Sequence, residues 1–156
     1  MDLDKSLYCA ILKGDVSEVQ SLVERGASVN TASYPDNWSP LHYAALLNRP
    51  DVMQLLIKGN ADVNLVDTND ETALHVAFFH DNIHAAELLI QNGSSLNLQN
   101  IEGRRPFEVA VNDRPHNYGK RVNFECEDSL DDIFRTMTPP VTVRKTYVMK
   151  ETIAYP

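Results

Sequence analysis

Ser39-Pro40-Leu41-His42-Tyr43-Ala44 decides the reading of this chain, because its centre returns 33 residues later as Leu74-His75-Val76-Ala77. Self-similarity at a period of ~20–50 residues is the signature of a stacked repeat. Working outward, Ala61-Asp62-Val63-Asn64 recurs as Ser94-Ser95-Leu96-Asn97 at the same spacing. Upstream, Ala27-Ser28-Val29-Asn30 precedes the first of these by 34, the extra residue falling in the Tyr34-Pro35-Asp36 loop. Downstream, Arg105-Pro106-Phe107-Glu108-Val109-Ala110 stands where Thr72-Ala73-Leu74-His75-Val76-Ala77 stands one period earlier.

Each copy reads as two short helices. Leu41, Ala44 and Ala45 share a face of the first, and Val52, Leu55 and Leu56 share a face of the second, with Leu88 the next copy's counterpart of Leu55. The alanines let the helices approach closely, while the leucines fill the space to the neighbouring pair. Neither pair can bury its apolar face alone, so stacking creates the core, and Leu55 and Leu88 are expected to be structural.

Together these motifs resemble the ankyrin repeat family, whose T-P-L-H-x-A signature appears here with Ser39 in place of Thr. The resemblance covers roughly residues 4–112. It implies an all-α solenoid of about four helix-turn-helix repeats with short β-hairpin loops, at about 4–33, 34–66, 67–99 and 100–138. The last repeat is atypical, and 139–156 forms an extended C-terminal tail beyond a 1–138 repeat domain. The family places Gly between its helices and again after the second. This chain has Gly14, Asn48 and Asp81 at the first break and Gly26, Asn60 and Gly93 at the second. Asn and Asp tolerate positive φ best after Gly, so the turn chemistry is kept. By the same resemblance His42 and His75 are structural, tying hairpin to helix with help from Ser39 and Thr72. Tyr8 and Glu108 replace that His in the end repeats, where atypical capping residues are expected.

Proteins of this family bind other proteins through hairpin tips and the inner helix surface. The corresponding positions are Asp36, Trp38, Leu46, Leu47 and Val66 in the second repeat, and Thr68, Asn69, Glu71, Phe79 and His80 in the third. In the fourth they are Gln99, Ile101, Glu102, Arg104 and Asn112. Trp38, Leu46, Leu47, Phe79 and Ile101 are expected to lie exposed together on one concave face, with Trp38 hydrated at a hairpin tip. Two alternatives stay open: the tail folds over this patch, or Leu46 and Phe79 deepen the core.

After Ala110 the period fails. Asn112 to Gly119 is turn-rich, and Pro115 disfavours helix before it. Glu127 to Met137 then reads as a helix with acids near its start and a Leu130, Ile133, Phe134, Met137 stripe. It is expected to be the delayed second helix of the fourth repeat, covering the end of the stack. Beyond Pro140 the alternation Val141, Val143, Lys145, Tyr147, Met149 has the period of a strand. That strand either lies across the last repeat or pairs with another chain.

The 156 residues are 43% hydrophobic and 23% charged, an ordinary globular mix that excludes collagen-like and low-complexity chains. Lys and Arg number 14 against 22 Asp and Glu, a net charge of −8 that argues against nucleic acid or an anionic membrane as partner. The imbalance lies within residues 1–112, with 7 basic and 15 acidic residues, whereas 113–156 carries 7 of each. A partner protein with a basic surface is therefore expected. Cys9 and Cys126 form no disulfide framework, which fits a reducing compartment. The acidic start Met1-Asp2-Leu3-Asp4-Lys5 lacks a signal-peptide pattern, and no apolar run approaches ~18 residues. The expectation is a cytoplasmic protein, monomeric when free, without a cofactor.

Chemistry-bearing motifs are sparse. His80 and His84 stand i, i+4 before Glu87, but the repeat register puts Asp81-Asn82 in a turn between them, so they share no helix face and no metal site is expected. Cys9 reads as a small core residue and Cys126 has no neighbour to lower its pKa. Phosphate-binding loops and nucleophile elbows are missing from the sequence. The reading is non-catalytic, stoichiometric binding that occludes a partner. Inhibitors of toxins or of signalling proteins fit, by analogy of fold with bacterial immunity proteins and viral inhibitor-of-NF-κB-like proteins. The rival, an enzyme using residues 113–126, has only His116, Tyr118 and Cys126 to offer.

Overall fold

Left-handed backbone positions punctuate the chain at one interval. In the computed structural model, which describes residues 2–33 and 35–112, Gly14, Asn48 and Asp81 have φ of 72°, 50° and 57°. Gly26, Asn60 and Gly93 have φ of 94°, 68° and 87°. Both series are those expected from the turn chemistry. A third series, Asn37, Asp70 and Gly103 at 59°, 56° and 74°, lies in the loops ahead of the repeats' first helices. Only Gly, Asn and Asp occupy these nine positions, because a Cβ without a local hydrogen bond is strained there.

Between the breaks the described residues form seven helices: α1 (Leu3–Lys13), α2 (Val16–Glu24), α3 (Pro40–Leu46), α4 (Pro50–Lys58), α5 (Ala73–Phe79), α6 (Ile83–Gln91) and α7 (Pro106–Asn112). They pack as two rows, α1–α3–α5–α7 and α2–α4–α6, with α1–α2, α3–α4 and α5–α6 also paired across the rows. Each start has a sequence reason. Asp2 and Asp15 cap α1 and α2 by accepting the backbone N–H of Asp4 and Glu18 at 3.1 and 3.0 Å. Pro40 and Pro50 occupy the first turns of α3 and α4, where no backbone donor is needed. Antiparallel bridges Ser33–Trp38 and Val66–Thr72 close two short hairpins. No helix of the described residues is long and apolar enough to cross a membrane.

The core runs the length of the stack in columns. Val19, Met53 and Ala86 form one, and Leu22, Leu56 and Leu89 the next, all buried. Leu55 and Leu88 stand one position off, half-buried and packed against the core's edge. The expectation that placed Leu55 on the buried face of α4 is corrected here: Val52, Met53 and Leu56 carry it. The first repeat held the clue, since its residue in the Leu55–Leu88 column is Ser21 while Leu22 continues the buried one. Cys9 is half-buried rather than core. The expected 127–137 helix, the 139–156 tail, and His116, Tyr118 and Cys126 lie outside the described residues.

Candidate functional site

The hairpins are built on a repeated set of bonds from the inner helices. His42 Nδ1 accepts from the Ser39 backbone N–H at 3.1 Å and the Ser39 hydroxyl at 2.7 Å, closing a capping box on α3. Its other ring nitrogen, Nε2–H, donates to the carbonyl of Glu71 in the next hairpin at 2.9 Å. His75 does the same, with Nδ1 on the Thr72 N–H and hydroxyl at 3.1 and 2.9 Å and Nε2–H on the Arg104 carbonyl at 3.1 Å. Tyr8 is the reach-extended version, its hydroxyl meeting the carbonyl of Trp38 at 3.0 Å and that of Thr31. Residues 8, 42 and 75 thus tether the carbonyls of residues 38, 71 and 104, each one repeat on. Glu108 keeps the capping half of the device, accepting from the Arg105 N–H at 2.7 Å.

Residues 38 and 71 also face buried partners across the stack. Trp38 donates its indole Nε1–H to Asp67 Oδ2 at 2.9 Å. Asp67 Oδ1 accepts the N–H groups of Asn69 and Glu71 at 2.8 and 2.9 Å, shaping its own hairpin. One repeat on, Asn100 Oδ1 takes the N–H groups of Glu102 and Arg104 at 3.1 and 3.0 Å, and its Nδ2 donates to Glu71 Oε1 at 3.3 Å. The donor–acceptor polarity is inverted between the two pairs. An acid at 67 receives a donor from 38, and a neutral amide at 100 supplies one to the acid at 71. An aspartate at 100 would set two carboxylates against each other.

This arrangement corrects the sequence expectation for three site residues. Trp38 is 3% exposed, tilted against Tyr43 with ring centroids 5.1 Å apart. It is core, and a hydrated hairpin-tip indole is ruled out. Glu71 is buried on Asn100, and Phe79 is buried against its neighbours. Leu46 and Leu47 are half-buried on the edge of the core. The remaining positions form an exposed rank along the tips. Val66, Thr68, Gln99, Ile101 and Glu102 are exposed, Ile101 at 55%, while Asp36, Asn69 and His80 are half-buried. Arg104 pairs with Glu102, and Asn112 closes α7. Backbone bonds lock the tips in register: the Thr68 N–H donates to the Asp36 carbonyl at 3.2 Å and the Ile101 N–H to the Asn69 carbonyl at 2.9 Å. Asp67 and Asn100 went unmarked in the sequence, although their 33-residue separation at matched hairpin positions is the signal that finds them.

Burial sets the protonation of these groups. His42 is lowered to about 4 because the imidazolium has no water, only partly offset by the Glu71 carbonyl. Burial likewise lowers His75. Asp67 is raised to about 6 by burial, against the bonds from Glu71, Asn69 and Trp38. The two effects oppose each other. A histidine lowered on folding contributes stability above ~6.5 that is lost as pH falls toward 4, about 3 kcal/mol for His42. A carboxyl raised on folding does the reverse, restoring stability as pH falls from 6 toward 3.8. Because the gain from Asp67 nearly offsets the loss from His42, the urea midpoint is expected to fall between pH 6.5 and 4 by about the loss from His75. Gln in place of both His42 and His75, which keeps the capping box, is expected to leave the Asp67 contribution and turn that fall into a rise. An unchanged pH profile in the double variant would remove the histidines as its cause.

His80 ends α5 as its C-cap and His84 lies in α6, beyond Asp81 at positive φ. Among the described residues no group of three or more His, Cys, Asp and Glu is placed to hold a metal ion.

Comparison with known proteins agrees with this geometry. A family model of ankyrin repeats (3 copies) matches residues 7–100 and again 48–118. The chain is 30% identical over 113 residues to an ankyrin repeat protein of Fowlpox virus (strain NVSL), covering 71% of this chain and 33% of that protein. It is 36% identical over 109 residues to inversin of Gallus gallus, covering 70% of this chain and 10% of inversin. It is also 39% identical over 74 residues to the 2-5A-dependent ribonuclease of Mus musculus, 47% of this chain and 10% of the enzyme. The chain thus spans a third or less of the length of these relatives. Ankyrin repeats generally mediate protein–protein interaction, and repeated motif, two-row helical stack and family match together make this chain a member of the ankyrin repeat family.

Proposed function

We propose that this chain is a non-catalytic binding module that takes a partner protein along its hairpin tips and inner helices and occludes the partner's surface. The observation that carries the reading is the rank of tips held in register by backbone bonds, with Ile101 and Val66 exposed along it. A rigid surface loses little conformational entropy on binding, so its contacts convert efficiently into affinity. Because Trp38 and Phe79 are core, the apolar anchors are Ile101 and Val66, with the half-buried Leu46 and Leu47 at the end of inner helix α3. Asp36 and Asp70 supply negative charge at successive tips, which favours a partner with a basic surface and a salt-dependent association rate. In this reading the chain acts as a monomer in a reducing, cytoplasmic setting, as an inhibitor rather than a scaffold.

Affinity capture from source cells with the wild-type chain, Ile101→Glu and the outer-helix control Gln54→Ala tests this. The expected result is a partner kept by wild type and Gln54→Ala but bound at least ~10-fold more weakly by Ile101→Glu, as for an interface anchor. Folding stability of Ile101→Glu should change by no more than ~0.5 kcal/mol. A partner indifferent to Ile101→Glu and to Val66→Glu would place binding elsewhere.

A further inference from the structure

The end of the stack exposes what earlier positions bury. Leu41 and Leu74, on the inner helices α3 and α5, are 1% and 0% exposed, while their counterpart Phe107 on α7 is 63% exposed. In the loops, Val29 is buried and Val63 half-buried, but the matching Leu96 is 47% exposed. In the outer row Val23 and Ile57 are half-buried and Ile90 is exposed. Phe107 meets the ring of Phe78 edge to face, with centroids 6.2 Å apart. Three independent columns thus open at the same end of the stack, where α7 has no outer helix beside it among the described residues. An apolar patch of this kind is not a solvent-adapted surface.

We infer that this end face is the seat of residues 127–137 of the same chain. The match is in the spacing. The outer helices carry apolar residues at i, i+3, i+4, namely Val19-Leu22-Val23, Met53-Leu56-Ile57 and Ala86-Leu89-Ile90, with the first two of each set buried. Leu130-Ile133-Phe134 repeats that spacing, displaced 11 residues from where the period would put it. Residues 113–126 supply the connection. Even half-extended, 14 residues cover far more than the ~10 Å between neighbouring helices. The larger Leu130 and Phe134, where α6 has Ala86 and Ile90, suit a terminal position that must cover Phe107 and Leu96 without help from a further repeat. The outward acids Asp128, Asp131 and Asp132 would then face water. This inference stands apart from the binding reading, since it concerns the end of the stack and not the tips.

The test uses the full-length chain with Cys9→Ala and Cys126→Ala, carrying Phe107→Cys together with Ile133→Cys. On mild oxidation in dilute solution, an intrachain disulfide is expected to form at least ~10-fold faster than for Phe107→Cys with Thr152→Cys, because proximity sets the exchange rate. Equal rates overturn the proposal. A disulfide found only between chains also overturns it and assigns the face to a second copy. Hydrogen exchange gives a second measurement that does not need the cysteines. Ile133→Asp with Phe134→Asp should speed exchange of the α7 amides at least ~10-fold while leaving α1–α4 unchanged, since local opening is governed by local contacts. Unchanged α7 exchange overturns the assignment.

Discussion

Trp38→Ala is expected to destabilise the fold by ~3–5 kcal/mol, the range for emptying a buried aromatic site. Two costs add. The indole packs on Tyr43 and His42, with centroids 5.1 and 5.8 Å away, so a large cavity opens between the Ser33–Trp38 hairpin and α3. Asp67 Oδ2 also loses its 2.9 Å donor and is left buried without it. Trp38→Phe separates the terms, since it keeps most of the ring and loses the N–H. It should cost roughly 1–3 kcal/mol, mostly the orphaned carboxylate. Chemical denaturation measures both, and fluorescence reports the same burial. The single tryptophan should emit in the blue in the free folded protein and shift to the red on unfolding. Red emission in the folded state, or a cost below 1 kcal/mol for Trp38→Ala, would return this residue to the surface.

Leu56→Ala and Leu89→Ala are each expected to cost ~2–5 kcal/mol, and Leu55→Ala and Leu88→Ala less than either. Leu56 and Leu89 are fully buried in the column that crosses every described repeat. Truncating either leaves a void in the packed core. Leu55 and Leu88 sit at the margin, where water can occupy part of the lost volume. In a solenoid each interface couples only neighbours, so the loss in one repeat is transmitted to the next. Thermal or urea unfolding of the four single variants gives the ranking. Equal losses at Leu55 and Leu56 would contradict the column structure.

The 33-residue recurrence of Leu-His-x-Ala, with Gly, Asn or Asp at the breaks, was enough to determine a stack of helix pairs. That information is local and periodic: a left-handed turn demands particular residues at particular positions, and the demand repeats. The family resemblance placed His42 and His75 as tethers: their capping bonds to Ser39 and Thr72 lie within one turn, while the Glu71 and Arg104 carbonyls come from the next hairpin. What the sequence left undecided was which way short helices of 9 residues turn their faces. Leu55 and Leu56 both fit an apolar face, and only packing against two neighbours at once separates them. Exposure at the hairpins was likewise a tertiary matter. Trp38 looks like a binding anchor until Asp67, 29 residues away in sequence, arrives to accept its N–H. Glu71 looks like a surface charge until Asn100 donates to it. A polar or amphipathic side chain becomes core when the fold brings it a partner across the stack, and no local pattern records that meeting.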